Sequence, residues 1–148
     1  MKKIKKIDID LSRVTCLASH GDYIISQLIC GEQEIKAVLD WATCCVHPVV
    51  WEVFRSFVYA SPKCREGEVD IEGLRAYVSD YMQYIALTDY DLKMMPYLFY
   101  YQIAVCDYYA EYYASIMDSR SIYLEQAYFS TKLLRWMETN MEQISNIF

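Results

Sequence analysis

The sequence predicts a mainly helical α+β domain in which one small β-hairpin precedes a helical bundle. Three observations carry this. Apolar residues alternate with a period of two only in the first third, where Ile35, Ala37 and Leu39 interleave with Lys36, Val38 and Asp40. From Pro48 onward they recur every three or four residues. The 148 residues are 55% hydrophobic and 16% aromatic, with only 4 Gly and 3 Pro, so a continuous core is available and breaks are few.

The chain divides into a tail at residues 1–13, a loop-and-hairpin region at 14–47 and a helical subdomain at 48–148. The apolar run "VTCLAS" leads into His20-Gly21-Asp22. "QLIC" and "EIKAVLD" flank Gly31-Glu32-Gln33, which predicts a hairpin over about residues 27–40. Pro48 suits a first helical turn, and Val50, Phe54, Phe57 and Val58 then share one helical face. Asp70 is a candidate N-cap for a helix carrying Leu74, Tyr77, Val78, Tyr81 and Ile85, and Thr88 for the next. Pro96 predicts a kink or a split in that second run. A last helix is expected over about residues 121–144, making four or five in all.

The formal charge of −6 argues against a nucleic-acid binder. The basic start "MKKIKK" reads as a solvated tail. The most apolar stretches carry Glu52, Arg55, Asp107 and Glu111, so no membrane span is expected. Six scattered Cys without a CxxC pair, and no signal peptide, lead us to expect free thiols and a cytoplasmic protein. Cys44, Cys45 and His47 lack a second ligand cluster, and a zinc site is not expected.

The residues around the hairpin carry the chemistry. Phosphoryl transfer needs a carboxylate to accept the substrate hydroxyl's proton, and oxygen ligands for the metal that bridges the phosphates. Asp22 is followed five residues later by Gln27, then by a hairpin that ends at Asp40. Such a hairpin returns Asp40 beside Gln27. Taken singly, His-Gly-Asp also reads as a structural turn, and Asp40 as a strand-end residue.

Together, His20-Gly21-Asp22, Gln27, Val38-Leu39-Asp40-Trp41, Pro48 and Trp51-Glu52-Val53 resemble the C-terminal lobe of the aminoglycoside phosphotransferase and choline kinase-like family, which has a protein-kinase-like fold. The resemblance covers roughly residues 14–115, and "IEGLRAYVSDYMQYIALTDYDLKMMPYLF" is similar to that family's helical tail. It implies a kinase-like C-lobe with Asp22 as catalytic base, His20 bracing the loop, and Gln27 and Asp40 as magnesium ligands. Trp41 would pack under the metal and Glu52 would pin its helix to the loop. The implied cofactors are Mg2+ and ATP, and the acceptor a hydroxyl of an aminoglycoside- or amino-alcohol-like molecule. The chain differs in carrying Gln27 where the family has Asn, and Ile24 where many members have a second His.

The 19 residues before His20 contain no Gly, so the glycine-rich phosphate loop and strand Lys of such kinases are not found there. The expectation is a fragment or remnant of a small-molecule kinase, inactive as this chain alone. Its partner would be a separate N-lobe chain or a second copy, docking through residues 14–17 and the hairpin face. The alternatives are a non-catalytic binding module on the same fold, and an unrelated helical protein with a chance loop. Tyr97, Tyr100, Tyr101, Tyr108, Tyr109, Tyr112 and Tyr113 recur at helical spacing and read first as core and rim. Asp107, Tyr108 and Glu111 also offer an aromatic and acidic wall for a small cationic acceptor.

Overall fold

The computed structural model describes residues 8–115 and 120–148. Within them the order is β1 (Cys16–Ser19), β2 (Leu28–Cys30), β3 (Ile35–Val38), β4 (Cys45–Pro48), α1 (Val49–Ala60), α2 (Pro62–Arg65), α3 (Ile71–Tyr81), α4 (Asp89–Ala104), α5 (Tyr108–Ala114) and α6 (Arg120–Ser145). The protein is mainly helical with two small antiparallel sheets. The expected hairpin is β2–β3, with Leu28 opposite Val38 and Ile29 opposite Ala37. The second sheet was not expected: β1 pairs with β4, Leu17 facing His47 and Ser19 facing Cys45. Pairing across 25 residues of intervening chain leaves no local signal, and "VTCLAS" by itself is too short to declare a partner.

The core forms where the helical periodicity places it. Val50, Phe54 and Val58 of α1 are fully buried against Phe99 and Met95 of α4, and Leu133 and Met137 of α6 complete the cluster. Phe54 and Phe99 stack with ring centroids 5.1 Å apart. Asp70 caps α3 by accepting the Gly73 N–H at 3.3 Å, and Thr88 caps α4 in a reciprocal box with Asp91.

Several boundaries differ from expectation. Pro48 ends β4 and occupies the N-cap of α1, one position before the helical turn it was expected to open. α4 runs through Pro96, because Met95 and Phe99 are anchored in the core on either side of it. The break comes instead after Ala104, and α5 begins at Tyr108. α3 stops at Tyr81, where Gln83 and Tyr84 turn back with i→i−3 bonds. Residues 1–7, which hold the basic tail, lie outside the described residues. Residues 8–13, expected as tail, are held instead: the Asp10 N–H donates to the Tyr90 hydroxyl at 2.8 Å and Arg13 lies over the Tyr90 ring.

Asp91 ties the sheet region to the bundle. Fully buried, it accepts from the Thr15 N–H (2.7 Å) and hydroxyl (2.7 Å) and from the Thr88 N–H (2.9 Å) and hydroxyl (2.8 Å). Burial alone pushes this carboxyl up, but the four donors outweigh burial and hold it below its ordinary 3.8. The start of β1, just before the His-Gly-Asp loop, is thereby fixed to the N-terminus of α4. Among the described residues no helix is long and apolar enough to cross a membrane.

Candidate active site

The His20-Gly21-Asp22 loop leaves β1 through a turn that needs glycine. Gly21 has φ +84°, and a Cβ there would clash with the Thr43 carbonyl. His20 is 4% exposed and uses both ring nitrogens. Nδ1 accepts the Asp22 N–H at 3.2 Å, which places the ring proton on Nε2, and Nε2 donates to the Leu39 carbonyl at 2.7 Å. The Thr43 hydroxyl donates to the His20 carbonyl at 3.0 Å. His20 therefore braces the loop and has no free nitrogen for proton transfer.

Leu39 links the parts. Its carbonyl receives His20, and its N–H donates to the Gln27 carbonyl at 2.8 Å. Asp40 is the next residue, so its backbone leaves the hairpin one position after this bond. Asp40 adopts a left-handed conformation (φ 56°) and makes no side-chain cap bond to the turn that follows, so its carboxylate is uncommitted there. The Gln27 amide nitrogen donates to Asp22 Oδ2 at 3.2 Å.

Two α1 residues grip the loop from below. Glu52 Oε1 accepts the Tyr23 N–H at 3.2 Å, pinning helix to loop. Arg55 forms an ion pair with Asp22 Oδ1 through Nη2. Arg55 was missed in the sequence, although its spacing of three from Glu52 puts both on one helical face. Trp41 was expected beneath a metal. It is 57% exposed, tilted on the His20 ring at 4.8 Å, with its indole N–H on the Val38 carbonyl at 3.0 Å.

The residues present suit a hard cation. Gln27 and Asp40 offer an amide oxygen and a carboxylate on adjoining segments, the donor set magnesium takes. No trio of His, Cys, Asp or Glu converges among the described residues, and such a pair would leave the remaining positions to water and phosphate.

Asp22 also opens on a cavity of about 690 Å³ between the loop, α1 and α6. Tyr59, Tyr108 and Phe129 give it aromatic walls, and Arg65, Glu125 and Gln126 stand at it. Of the three α5-region residues expected at an acceptor wall, Tyr108 lines this cavity. Asp107 and Glu111 are exposed, and neither lines this cavity. Their place on α5 is set by Tyr108, which turns inward to hydrogen-bond Tyr59 and Cys106. Burial, then the neighbouring Tyr59 and Cys106, push the Tyr108 phenol well above its ordinary range, and burial raises Tyr59 too. Both stay protonated at neutral pH. The α6 residues were missed because they meet Asp22 only across more than 100 residues of chain.

A second cavity, of about 500 Å³, lies on the other side of the loop between β1, α1 and α3. It is lined by His20, Trp41 and Tyr23 and does not include Asp22.

Comparison with protein-family models, with curated proteins and with solved structures returned no match.

Proposed function

We propose that this chain is the metal- and acceptor-binding half of a small-molecule phosphotransferase with a protein-kinase-like fold. The observation that supports the reading is the bonded chain Asp22–Gln27–Leu39–His20, which ties the carboxylate and amide of the loop to the strand end just before Asp40. Asp22 would take the acceptor hydroxyl's proton, the hydroxyl replacing the Gln27 N–H on Oδ2. Gln27 and Asp40 would hold magnesium, whose chemistry is to bridge and neutralise the phosphates of ATP. Glu52 and His20 keep the loop from shifting as the hydroxyl arrives.

The exposed apolar residues support a missing phosphate-binding partner. Leu17, Ile29, Ile35, Leu39, Trp41 and Val46 are all exposed. Ile35 and Leu39 of the hairpin thus face outward, not into the core. Val14, expected in this patch, is buried. Such a patch next to the metal ligands fits an N-lobe that carries the phosphate clamp, on this or another polypeptide. A second reading, a binding module without catalysis, is favoured by the Arg55–Asp22 pair, which occupies the candidate base.

The test is transfer from radiolabelled ATP to aminoglycosides, choline and homoserine. The 148 residues alone should give none, since loss of one preorganised charge-stabilising donor already costs roughly 10²–10³ in rate. With an N-lobe encoded upstream or beside it, turnover should appear and be removed by Asp22→Asn. No turnover with such a lobe, or turnover indifferent to Asp22→Asn, supports the binding module instead.

A further inference from the structure

The cavity of about 500 Å³ between β1, α1 and α3 has no part in the proposed reaction, since Asp22 does not line it. Leu17, Val53 and Ile85 make much of its wall apolar. Glu52 is the carboxylate that lines it, and among the described residues no Lys or Arg does. Glu52 Oε1 takes the Tyr23 N–H at 3.2 Å, while Oε2 bonds no described group and is not sealed from solvent. A half-buried carboxylate with one oxygen open, and with no ion pair among the described residues, has a charge left to satisfy.

Aromatic residues stand around that charge: Tyr23, Trp41, Tyr77 and Tyr81 all line the cavity. Glu52 and Ser56 lie one turn apart on α1, as Tyr77 and Tyr81 do on α3. The Ser56 and Tyr77 hydroxyls meet at 3.2 Å, and burial, then the Glu52 charge, raises the Tyr81 phenol, so Tyr81 lies within electrostatic reach of Glu52. Tyr23 and Trp41 both pack on His20, at ring-centroid distances of 6.0 and 4.8 Å, and His20 uses both ring nitrogens within the protein. Electron-rich rings attract a cation, a carboxylate pairs with it, and apolar walls take a hydrocarbon body. An anion would meet Glu52 with like charge, and a polyol would leave hydroxyls against the apolar wall.

We infer that this cavity binds a monoamine with an apolar body, its ammonium on Glu52 Oε2 and its aryl or alkyl part against the apolar wall. The site is separate from Asp22 and from the α5 wall at which the sequence suggested a cation, and it does not rest on the phosphotransferase reading.

The test is NMR titration of the 148-residue chain with three probes of one body and different charge: phenethylamine, phenethyl alcohol and hydrocinnamate. The Trp41 indole N–H and the Tyr23 and Tyr81 ring signals should shift saturably with the amine. The alcohol should bind at least about tenfold more weakly, the worth of one charged hydrogen bond, and hydrocinnamate should cause no shift. Glu52→Gln keeps an oxygen for the Tyr23 N–H and should bring the amine down to the affinity of the alcohol. Tyr81→Leu keeps apolar bulk and should weaken the amine about threefold while leaving the alcohol unchanged. Amine and alcohol binding alike, an amine affinity indifferent to Glu52→Gln, shifts centred on Tyr59 and Tyr108, or no shift from any probe overturns the inference. The comparison of amine with alcohol is made on the parent chain, so it decides even where a variant does not fold.

Discussion

Arg55 on α1 and Asp22 on the loop after β1 form an ion pair that joins the helical core to the candidate base. Their side chains are 14% and 26% exposed, so neither charge is fully hydrated. The pair explains how a half-buried loop keeps one carboxylate in a fixed place.

Removing the arginine should therefore cost more than removing the charge it serves. Arg55→Met should destabilise the fold by about 1–3 kcal/mol, below the cost of breaking a fully buried pair. Urea unfolding of Arg55→Met, Asp22→Asn and the double variant checks it. Non-additive losses are expected; additive ones mean that the pair contributes nothing to the loop's position.

Gly21 should tolerate no side chain. Its φ of +84° and the Thr43 carbonyl both oppose a Cβ, so Gly21→Ala should cost about 1–3 kcal/mol. At Gly31 the crowding atom is the flexible end of Lys36, and φ is not in the left-handed region. Gly31→Ala should stay within about 0.5 kcal/mol. Equal costs at the two sites, measured by thermal or urea unfolding, run against a strained loop.

Asp91 should carry part of the acid sensitivity. Its carboxyl titrates below 3.8 when folded, so its stabilising effect is fully present above the unfolded value. That stability is lost as the pH falls below about 4 through the folded value, where the unfolded state binds the proton first. Asp91→Asn places an amide N–H among four donors and should cost about 2–4 kcal/mol at pH 7. Its unfolding midpoint should also change less between pH 5 and 3 than the parent's, which a pH series of urea curves would read.

The sequence was most legible where structure is local. The hairpin, the caps at Asp70 and Thr88 and the buried face of α1 all follow from periods and cap residues within a few positions. The approach of Leu39 to Gln27 at the hairpin's open end was legible for the same reason, because the hairpin's register decides it. The β1–β4 pairing, Arg55 on Asp22 and the approach of Gln126 depend on tertiary packing, which no local pattern encodes. Helical spacing ranks Asp107 and Glu111 with Tyr108, while only packing decides that Tyr108 lines the cavity at Asp22 and the other two stay exposed.

The central claim is that Asp22, Gln27 and Asp40 form one cation-and-base site. Mn2+, which takes the same oxygen ligands as magnesium, can be titrated into the isotope-labelled chain. Backbone amide signals of Gln27 and Asp40 should broaden before any others, with Asp22 close behind, and Asp40→Asn should abolish this while leaving the rest of the spectrum in place. Broadening that centres on Asp8 and Asp10, or that survives Asp40→Asn at Gln27, would contradict the account.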